Sequence, residues 1–411
     1  MAGRGAPLEI AIVGCGPSGM AAALFLSRAG HRVRVFERFD APRPVGAGLL
    51  LQPTGLAVLD RLGLLAKVAA AGARIERLVG EAVPSGRRIL SVAYADLAEG
   101  LHGIAVHRAS LFDVLHDALA AEGIEVVGSS RIAAIDTSAG DRPLLVEVSG
   151  KRTSRFDLAI DASGAQSALR TSGNGDRPRP FPYGAIWTTL PLVHHRFDPV
   201  TLAQRYRGAR QMAGVMPVGS VPNADGPHAA FFWSLRMDGL DTWRSRGLTA
   251  WKEEVAALWP EAGTLVAGIG DADQMTPAFY VHFTSRRPTG PRIIQIGDAA
   301  HSTSPQLGQG ANMGLLDALA LSEALDRHAG IDDALGAYAA ARSRHIRFYQ
   351  AASAWMTPLF QSDSRVAART RDLVLPAMNL VPYLRRETVR ALAGLKNGLF
   401  TSLDPSDPLS R

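Results

Sequence analysis

Residues 9–26 read EIAIVGCGPSGMAAALFL, and the order of residue types in this stretch decides the fold. Residues 8–13 are a short, mostly apolar run, the pattern of a strand buried in a parallel sheet. Gly14-x-Gly16-x-x-Gly19 follows at once, and a helix from Ser18 to Ala29 closes at Gly30. In that context each glycine has its own duty. The first two permit a tight turn and close backbone approach to a pyrophosphate, and the third lets the helix pack on the strand. Residues 31–37 (HRVRVFE) complete a strand–helix–strand unit. Glu37 stands eighteen residues after Gly19 at the strand's end, with Arg38 beside it, and is placed for an adenosine ribose diol. The unit predicts a dinucleotide-binding α/β domain.

A second stretch, residues 297–317 (GDAAHSTSPQLGQGANMGLLD), selects the dinucleotide. Asp298 is suited to accept hydrogen bonds from sugar hydroxyls. Gly297, Gly308, Gly310 and Gly314 allow close backbone approach. The apolar run Ala311, Leu315, Leu316, Ala318, Leu319 has helical spacing, so the helix presents free N–H groups near Gly310–Asn312. A nicotinamide dehydrogenase has no use for such a unit some 280 residues after the first turn. A flavin has, because it is long: one end lies at the first turn and its ring lies near another helix start. That helix terminus suits the negative charge of a reduced isoalloxazine. The pair of stretches therefore predicts FAD.

Composition narrows the alternatives. The 411 residues are 47% hydrophobic and 20% charged, which suits a globular chain of two or three domains. The apolar stretch Leu8–Leu26 is broken by Gly14, Gly16, Pro17 and Gly19 and makes a poor membrane span. With no leader recognised, the chain is expected in the cytoplasm. Cys15 is the single cysteine, which excludes a disulfide framework or multi-cysteine metal site; no metal is expected, and Cys15 reads as a small buried side chain. The net charge of +6 is carried almost wholly by arginine, with only four lysines. It suits phosphate-bearing cofactors better than nucleic acid, for which basic residues interleaved with aromatics on one face are needed. Seven basic residues lie between Arg365 and Lys396 against Asp372 and Glu387. They read as a solvated helical face rather than a membrane-surface or acidic-partner site, because the apolar residues between them look like core.

Along the chain, a helical pattern covers 49–72 and a hairpin covers 74–97, turning at Pro84-Ser85-Gly86. A helix is expected over Arg108–Ala121, a strand at 124–127, three strands with turns near 139–142 and 149–152, and a buried strand at 157–162. Residues 171–180 have the composition of a crossing between domains. Residues 181–285 interleave aromatics and strand formers, with strands near 185–193, 203–216 and 228–237 and a helix at 248–258. Residues 292–296 return to the cofactor sheet. Helices fill 311–327 and 332–356, and the helical C-terminal part is interrupted by Pro358, Pro376 and Pro382.

On these motifs the chain resembles the group A flavoprotein aromatic hydroxylases, the class typified by para-hydroxybenzoate hydroxylase, over roughly residues 8–350. The resemblance implies a Rossmann-like FAD-binding domain in three parts (1–73, 101–180, 286–350). A mixed or antiparallel substrate domain (181–285, joined by hairpin 74–100) is inserted in it, and a C-terminal helical region (351–411) follows. By resemblance, Asp298 binds the ribityl or pyrophosphate part of FAD, and Pro305, Gly308, Gln309 and Gly310 line the flavin ring. Arg108 matches the flavin-contacting arginine, the alternative being an ion pair with Asp113 or Asp117. Gln52 and the loop Gly46–Gly48 fall in the mobile flavin loop. His301 reads as structural. The chain departs from the family at DLAIDASGAQSALR (157–170): Ser163 stands where the family's aspartate does, and Asp161 where it has glycine, while Gly164, Ser167 and Arg170 match.

The implied activity is insertion of one oxygen atom of O2 into an electron-rich small molecule, in aromatic catabolism or secondary metabolism. NADPH or NADH is the reductant, and a flavin C4a-hydroperoxide is the oxygen donor. The protein's part is to place the substrate and exclude water. Tyr183, Trp187, Met212, Phe231 and Trp233 are the pocket candidates, with Pro305 at the ring, and they suggest a phenolic, polyketide or indole-like substrate. Arg205, Arg207 and Arg210 are candidates for an acidic substrate group, though alternation sends Arg205 and Arg207 to solvent. The chain is expected as a monomer or homodimer. A flavin-dependent halogenase, a reductase or dehydrogenase, and a FAD-binding sensor are the other readings. The halogenase lacks its Trp-x-Trp-x-Ile-Pro segment and a lysine in the substrate domain.

Overall fold

The computed structural model describes residues 6–41, 48–138, 140, 142–170, 177–192 and 197–404. Its cofactor sheet has six strands in the order Thr289–Gly290, Ile293–Gln295, Leu158–Asp161, Glu9–Val13, Arg32–Phe36, Glu125–Val127. All neighbours are parallel except the first pair. The helix Pro17–Arg28 packs on this sheet, and the long helix Gly310–Arg327 packs against it. The contact is close because Ser18 Oγ lies 2.6 Å from where a Cβ on Gly297 would stand and 2.0 Å from that of Gly314. Two stretches nearly 280 residues apart thus meet with only the small Ser18 side chain wedged between them.

The second large sheet has seven strands, ordered Thr276–Ala278, Tyr183–Pro191, Ala224–Arg236, Gln211–Val221, Thr201–Arg207, Arg77–Ala82, Arg88–Ala93. Hairpin 77–93 joins it through a parallel pairing of Arg77–Ala82 with Thr201–Arg207. Gly80 makes room there for the buried Tyr206 ring, whose hydroxyl is 2.3 Å from the place of a Gly80 Cβ. One face of this sheet is covered by the helix Leu240–Leu258, with Trp251 against Phe231 and Trp233. The other face turns toward Leu50, Leu307 and Tyr349, which is the side of the cofactor sheet.

Several local expectations are corrected. Residues 49–51 are not helical: Gly48–Leu51 is a strand paired with Gly103–His107, and the helix of this region is split into Pro53–Arg61 and Leu65–Ala71. The run of leucines carries helical spacing and strand pairing equally well, and the antiparallel partner decides. The expected strand at 203–216 is broken at Gly208, whose φ of 62° turns the chain. Pro358 and Pro376 lie inside the helices Ile331–Phe360 and Arg365–Leu380, so only Pro382 marks a boundary. The apolar residues among the C-terminal arginines are core only in part: Val389, Leu392 and Leu395 are buried, whereas Val366, Leu373 and Leu380 are 73%, 67% and 83% exposed. The loop residue Gly46 and parts of the crossing and turn at 171–176, 139 and 141 lie outside the described residues.

Candidate active site

The glycine turn is built as its spacing predicts. Gly14 has a φ of 107°, and a Cβ there would lie 2.5 Å from the Ala162 carbonyl oxygen. A Cβ on Gly19 would lie 2.0 Å from the Gly14 carbonyl oxygen, whereas one on Gly16 would meet nothing within 4 Å. The turn is therefore packed beneath and open at Gly16, a cradle that a side chain would fill. Glu37 is buried, and its carboxylate accepts from the N–H of Cys15 (2.9 Å) and of Phe39 (3.1 Å). That fixes the acid beside the turn with lone pairs left for a diol. Arg38 is exposed and lies over the Phe39 ring. The Cys15 thiol is buried and its pKa is pushed up to about 12, so it is inert. Ser18 is a correction: its hydroxyl is wedged against Gly297 and Gly314, so it serves helix packing rather than the turn's open side.

Asp298 opens the short helix Asp298–His301, and its Oδ1 lies 3.5 Å from where a Gly310 Cβ would stand, at the start of the helix Gly310–Arg327. The first backbone bond into that helix runs from Met313 N–H to the Gln309 carbonyl, leaving the first-turn donors at Gly310, Ala311 and Asn312 for a ligand. Arg108 begins the helix Arg108–Ala121. Among the described residues neither the Asp298 carboxylate nor the Arg108 guanidinium makes a hydrogen bond or ion pair, so the alternative pairing of Arg108 with Asp113 or Asp117 does not form. Both side chains reach solvent, yet surrounding protein desolvates them. Desolvation pulls the Arg108 pKa down, opposed by the charge of Asp298, and pushes the Asp298 pKa up, opposed by His301, Arg108 and Arg170. Tyr280 behaves alike: it is half-buried, and burial pushes its hydroxyl up to about 12. Arg108, Asp298 and Tyr280 are reached by solvent while crowded by protein, and each feels the charge of another of the three, so they flank one recess, the groove.

The groove's walls are braced from behind. Arg170 donates to the carbonyls of Asp298 (3.0 Å) and Ala299 (3.2 Å) and lies 4.1 Å from the Phe283 ring centre. The departure at 157–170 has a structural content: buried Asp161 accepts from Ser163 N–H (3.0 Å), Ser163 Oγ (2.6 Å) and Ser167 Oγ (2.7 Å), shaping the loop that ends at Arg170. Ser163 thus spends its hydroxyl on Asp161, while Gly164, with a φ of 88°, leaves open space. Asn312 is also internally committed: Gln52 N–H donates to its Oδ1 (2.9 Å), and its Nδ2 donates to Leu50 (3.2 Å) and Gly308 (2.8 Å) carbonyls. Only its backbone remains for a cofactor. Gln52 has its Oε1 taken by the buried Tyr94 hydroxyl and its Nε2 buried without a partner among the described residues, 3.6 Å from the place of a Gly308 Cβ. That orphaned donor fits an acceptor edge of a ring lying beside Gly308, whose φ of 61° keeps the turn open. Pro305 is exposed at the start of the same turn. Gly48 faces the seven-stranded sheet instead, pressed on Met216, Val218 and Ala230.

Strand register separates the pocket candidates. Trp187 pairs with Phe232, and their ring centres are 4.8 Å apart on the groove side. Phe231 and Trp233 pair with Thr188 and Ile186 and point to the opposite face, under Trp251. They are removed from the pocket, because alternate residues of a strand face opposite ways. Met212 stays on the groove side, packed with Phe232 and Met216. Tyr183 shares that parity, but its hydroxyl donates to Asp363 (2.9 Å) at the C-terminal helices. Arg205, Arg207 and Arg210 are engaged by Glu81, the Ala257 carbonyl and Asp363. Sequence reasoning missed Phe232, one residue from two candidates, and Tyr280, whose oxygen accepts from Trp187 Nε1 at 3.3 Å. Tyr280 follows a three-residue strand and carries no periodic signal. The orphaned donor, the open cradle and the unpartnered acid fit FAD.

Comparison with known proteins agrees with this geometry. Residues 7–351 match the family described as FAD binding domain. The chain is 32% identical over 340 residues to 3-amino-4-hydroxybenzoate 2-monooxygenase of Streptomyces cremeus, covering 79% of this chain and 80% of that protein. It is 28% identical to aurachin C monooxygenase/isomerase of Stigmatella aurantiaca, covering 90% and 94%. The fold is shared with Klebsiella pneumoniae HpxO complexed with FAD and uric acid, at a TM-score of 0.77 and 20% identity, covering 93% of this chain and 97% of that one. A family match across most of the chain, together with relatives that are FAD-dependent hydroxylases, makes this protein a member of the group A FAD-dependent monooxygenases.

Proposed function

We propose that the chain hydroxylates a small planar aromatic compound, at the expense of NADPH or NADH, in the groove between Asp298–Arg108 and the Trp187–Phe232 wall. The reaction balances as one oxygen atom of O2 passing to the substrate carbon and the other leaving as water. The nicotinamide supplies two electrons. FAD, when bound, relays those electrons and activates O2. The observation that carries the reading is that exposed Arg108 and Asp298, without an ion pair among the described residues, stand with Tyr280, whose oxygen accepts from Trp187 in the Trp187–Phe232 wall. Glu37 and the cradle at Gly16 would hold the adenosine end, and Asp298 the sugar-alcohol chain. The first-turn N–H groups at Gly310–Asn312 and the Gln52 amide would hold the ring. Its relatives named for 3-amino-4-hydroxybenzoate and crystallised with uric acid take conjugated rings, which is the shape Trp187 and Phe232 would flank.

The test is a screen of phenols, aminobenzoates and bicyclic heteroaromatics for accelerated oxidation of NADPH or NADH by the holoprotein. It is followed by 18O2 labelling of any product. One labelled atom in the product is expected. Substrates that accelerate nicotinamide oxidation while all the oxygen appears as hydrogen peroxide would overturn the reading.

Tyr280 has a defined part in it. Its oxygen already accepts from Trp187, and at about 12 its pKa keeps the proton in place, so the hydroxyl has one hydrogen to donate to a substrate. Tyr280→Phe is expected to raise KM about five- to ten-fold with a smaller change in kcat, the loss of one neutral hydrogen bond. Steady-state kinetics from pH 6 to 9 checks it. An unchanged KM would place the substrate elsewhere.

A further inference from the structure

The helix Arg365–Leu380 packs Ala368 and Leu375 inward but leaves most of its large apolar side chains outward. Its buried side holds Ala368 and a guanidinium: Arg371 is 0% exposed and lies 4.7 Å from the Tyr206 ring centre and 5.3 Å from that of Phe360. Arg371 also donates to the Gly208 (3.0 Å) and Leu359 (3.2 Å) carbonyls, which pins the helix in rotation. The outward side then carries Val366, Leu373 and Leu380, seven residues apart and so in one line, with Val374 at its flank and Val381 and Tyr383 beyond its end. All six are more than two-fifths exposed. A line of large apolar side chains held in water by a buried arginine marks an interaction surface.

Charge identifies the partner. Arg365 and Arg369 stand exposed at one end of the line without an ion pair among the described residues; at the other, Arg385 pairs with Asp96 at 3.4 Å, while exposed Arg386 donates to the Asp96 carbonyl and keeps its charge uncompensated. Asp372 and Glu387, the acids of this segment, are already paired with Arg371 and with Arg390 and Lys396. Both ends are cationic, so stacking this face on a second copy sets arginine against arginine in either orientation. An anionic lipid surface instead receives apolar side chains at the headgroup boundary and arginines among the headgroups. No helix among the described residues is long and apolar enough to cross a membrane, so the contact is peripheral. The family match ends at residue 351, before this helix begins.

We propose that the outer face of Arg365–Leu380, with the start of the following helix Pro382–Leu392, docks the protein on anionic bilayers. The experiment is co-sedimentation of the FAD-loaded full chain with vesicles of phosphatidylcholine alone or mixed with phosphatidylglycerol. Binding to the mixed vesicles only, and release by added salt, are expected. Leu373→Asp and Leu380→Asp are each expected to lower partitioning at least ~ten-fold, and Arg369→Gln about five-fold, with flavin absorbance and melting temperature unchanged. Absence of binding to anionic vesicles overturns the proposal, as does binding that Leu373→Asp leaves intact. Sedimentation velocity is the second measurement. A dimer that Leu373→Asp dissociates would assign the face to a second copy and equally overturn it.

Discussion

Gly16→Val is expected to purify as folded, colourless protein, whereas Gly19→Val is expected to yield little folded protein at all. The two glycines belong to one motif, but their surroundings differ. A Cβ at Gly16 meets nothing within 4 Å, so valine there fills the cradle without disturbing the sheet or helix. At Gly19 the same atom lies 2.0 Å from the Gly14 carbonyl oxygen and 3.3 Å from Ala162 Cβ, so valine must force the helix off the strand. The measurements are the flavin-to-protein absorbance ratio and the thermal melting of the apoprotein. Asp298→Ala supports the same reading at the other end of the groove. It removes a charged acceptor that has no hydrogen-bond partner among the described residues, and flavin affinity is expected to fall by about ten- to a hundred-fold, the worth of a hydrogen bond to a charged group. A yellow, fully loaded Gly16→Val protein would show that the open side of the turn does not hold the cofactor.

The contrast shows which parts of this site can be read from sequence. Glycine spacing, the acid at the end of the second strand and the GD stretch are local patterns, and each reports a backbone shape that side chains would obstruct. They carried the cofactor domain. What the pattern cannot carry is which way a side chain faces once a neighbour has claimed it. Ser18 and Asn312 stand in the motifs, yet their polar atoms are taken up between helices and loops brought together only by folding. Phe231 and Trp233 were chosen for their rings, and a shift of one residue in a two-residue period sends them to the far side of the sheet, leaving Phe232 in the groove. Tyr280 and Asp161 act through partners distant in sequence or in irregular backbone, where no period exists to be read. The exposed apolar line on Arg365–Leu380 reads as core in sequence because spacing reports two faces, not which one is covered.

Asp317→Ala is expected to destabilise the protein by about 3–5 kcal/mol, because it leaves an arginine buried without its counter-charge. Asp317 is 0% exposed and collects the Gly297 N–H (2.8 Å), His301 Nε2 (2.6 Å) and Arg342 Nε (2.7 Å). Burial raises its pKa, but His301 and Arg342 outweigh burial and hold the carboxyl far below the usual range. Arg342 continues to His345 Nδ1 (3.2 Å), whose Nε2 faces the Gly394 carbonyl at 2.8 Å, so His345 is neutral with its proton on Nε2. The chain of contacts joins the GD loop to the C-terminal segment, and its two titrating members lose their effect in different windows. Desolvation, aided by the Arg342 charge, pulls the His345 pKa down to about 3. Between about 6.5, the value for an unfolded histidine, and that lower limit the unfolded chain takes up a proton the folded chain refuses. Stability therefore falls with acidification from about pH 6.5, by roughly 1.4 kcal/mol per pH unit from this residue. The depressed Asp317 carboxyl adds its loss only below about pH 4, where the unfolded carboxylate protonates first. His345→Gln keeps an acceptor for Arg342 and a donor for Gly394 but has no proton to gain. Urea unfolding at saturating FAD is thus expected to show the wild type losing about 2 kcal/mol more than His345→Gln between pH 6.5 and 5. Parallel losses in the two proteins over that interval would mean that His345 is already charged in the folded state and that the network is held together by something other than the charge of Asp317.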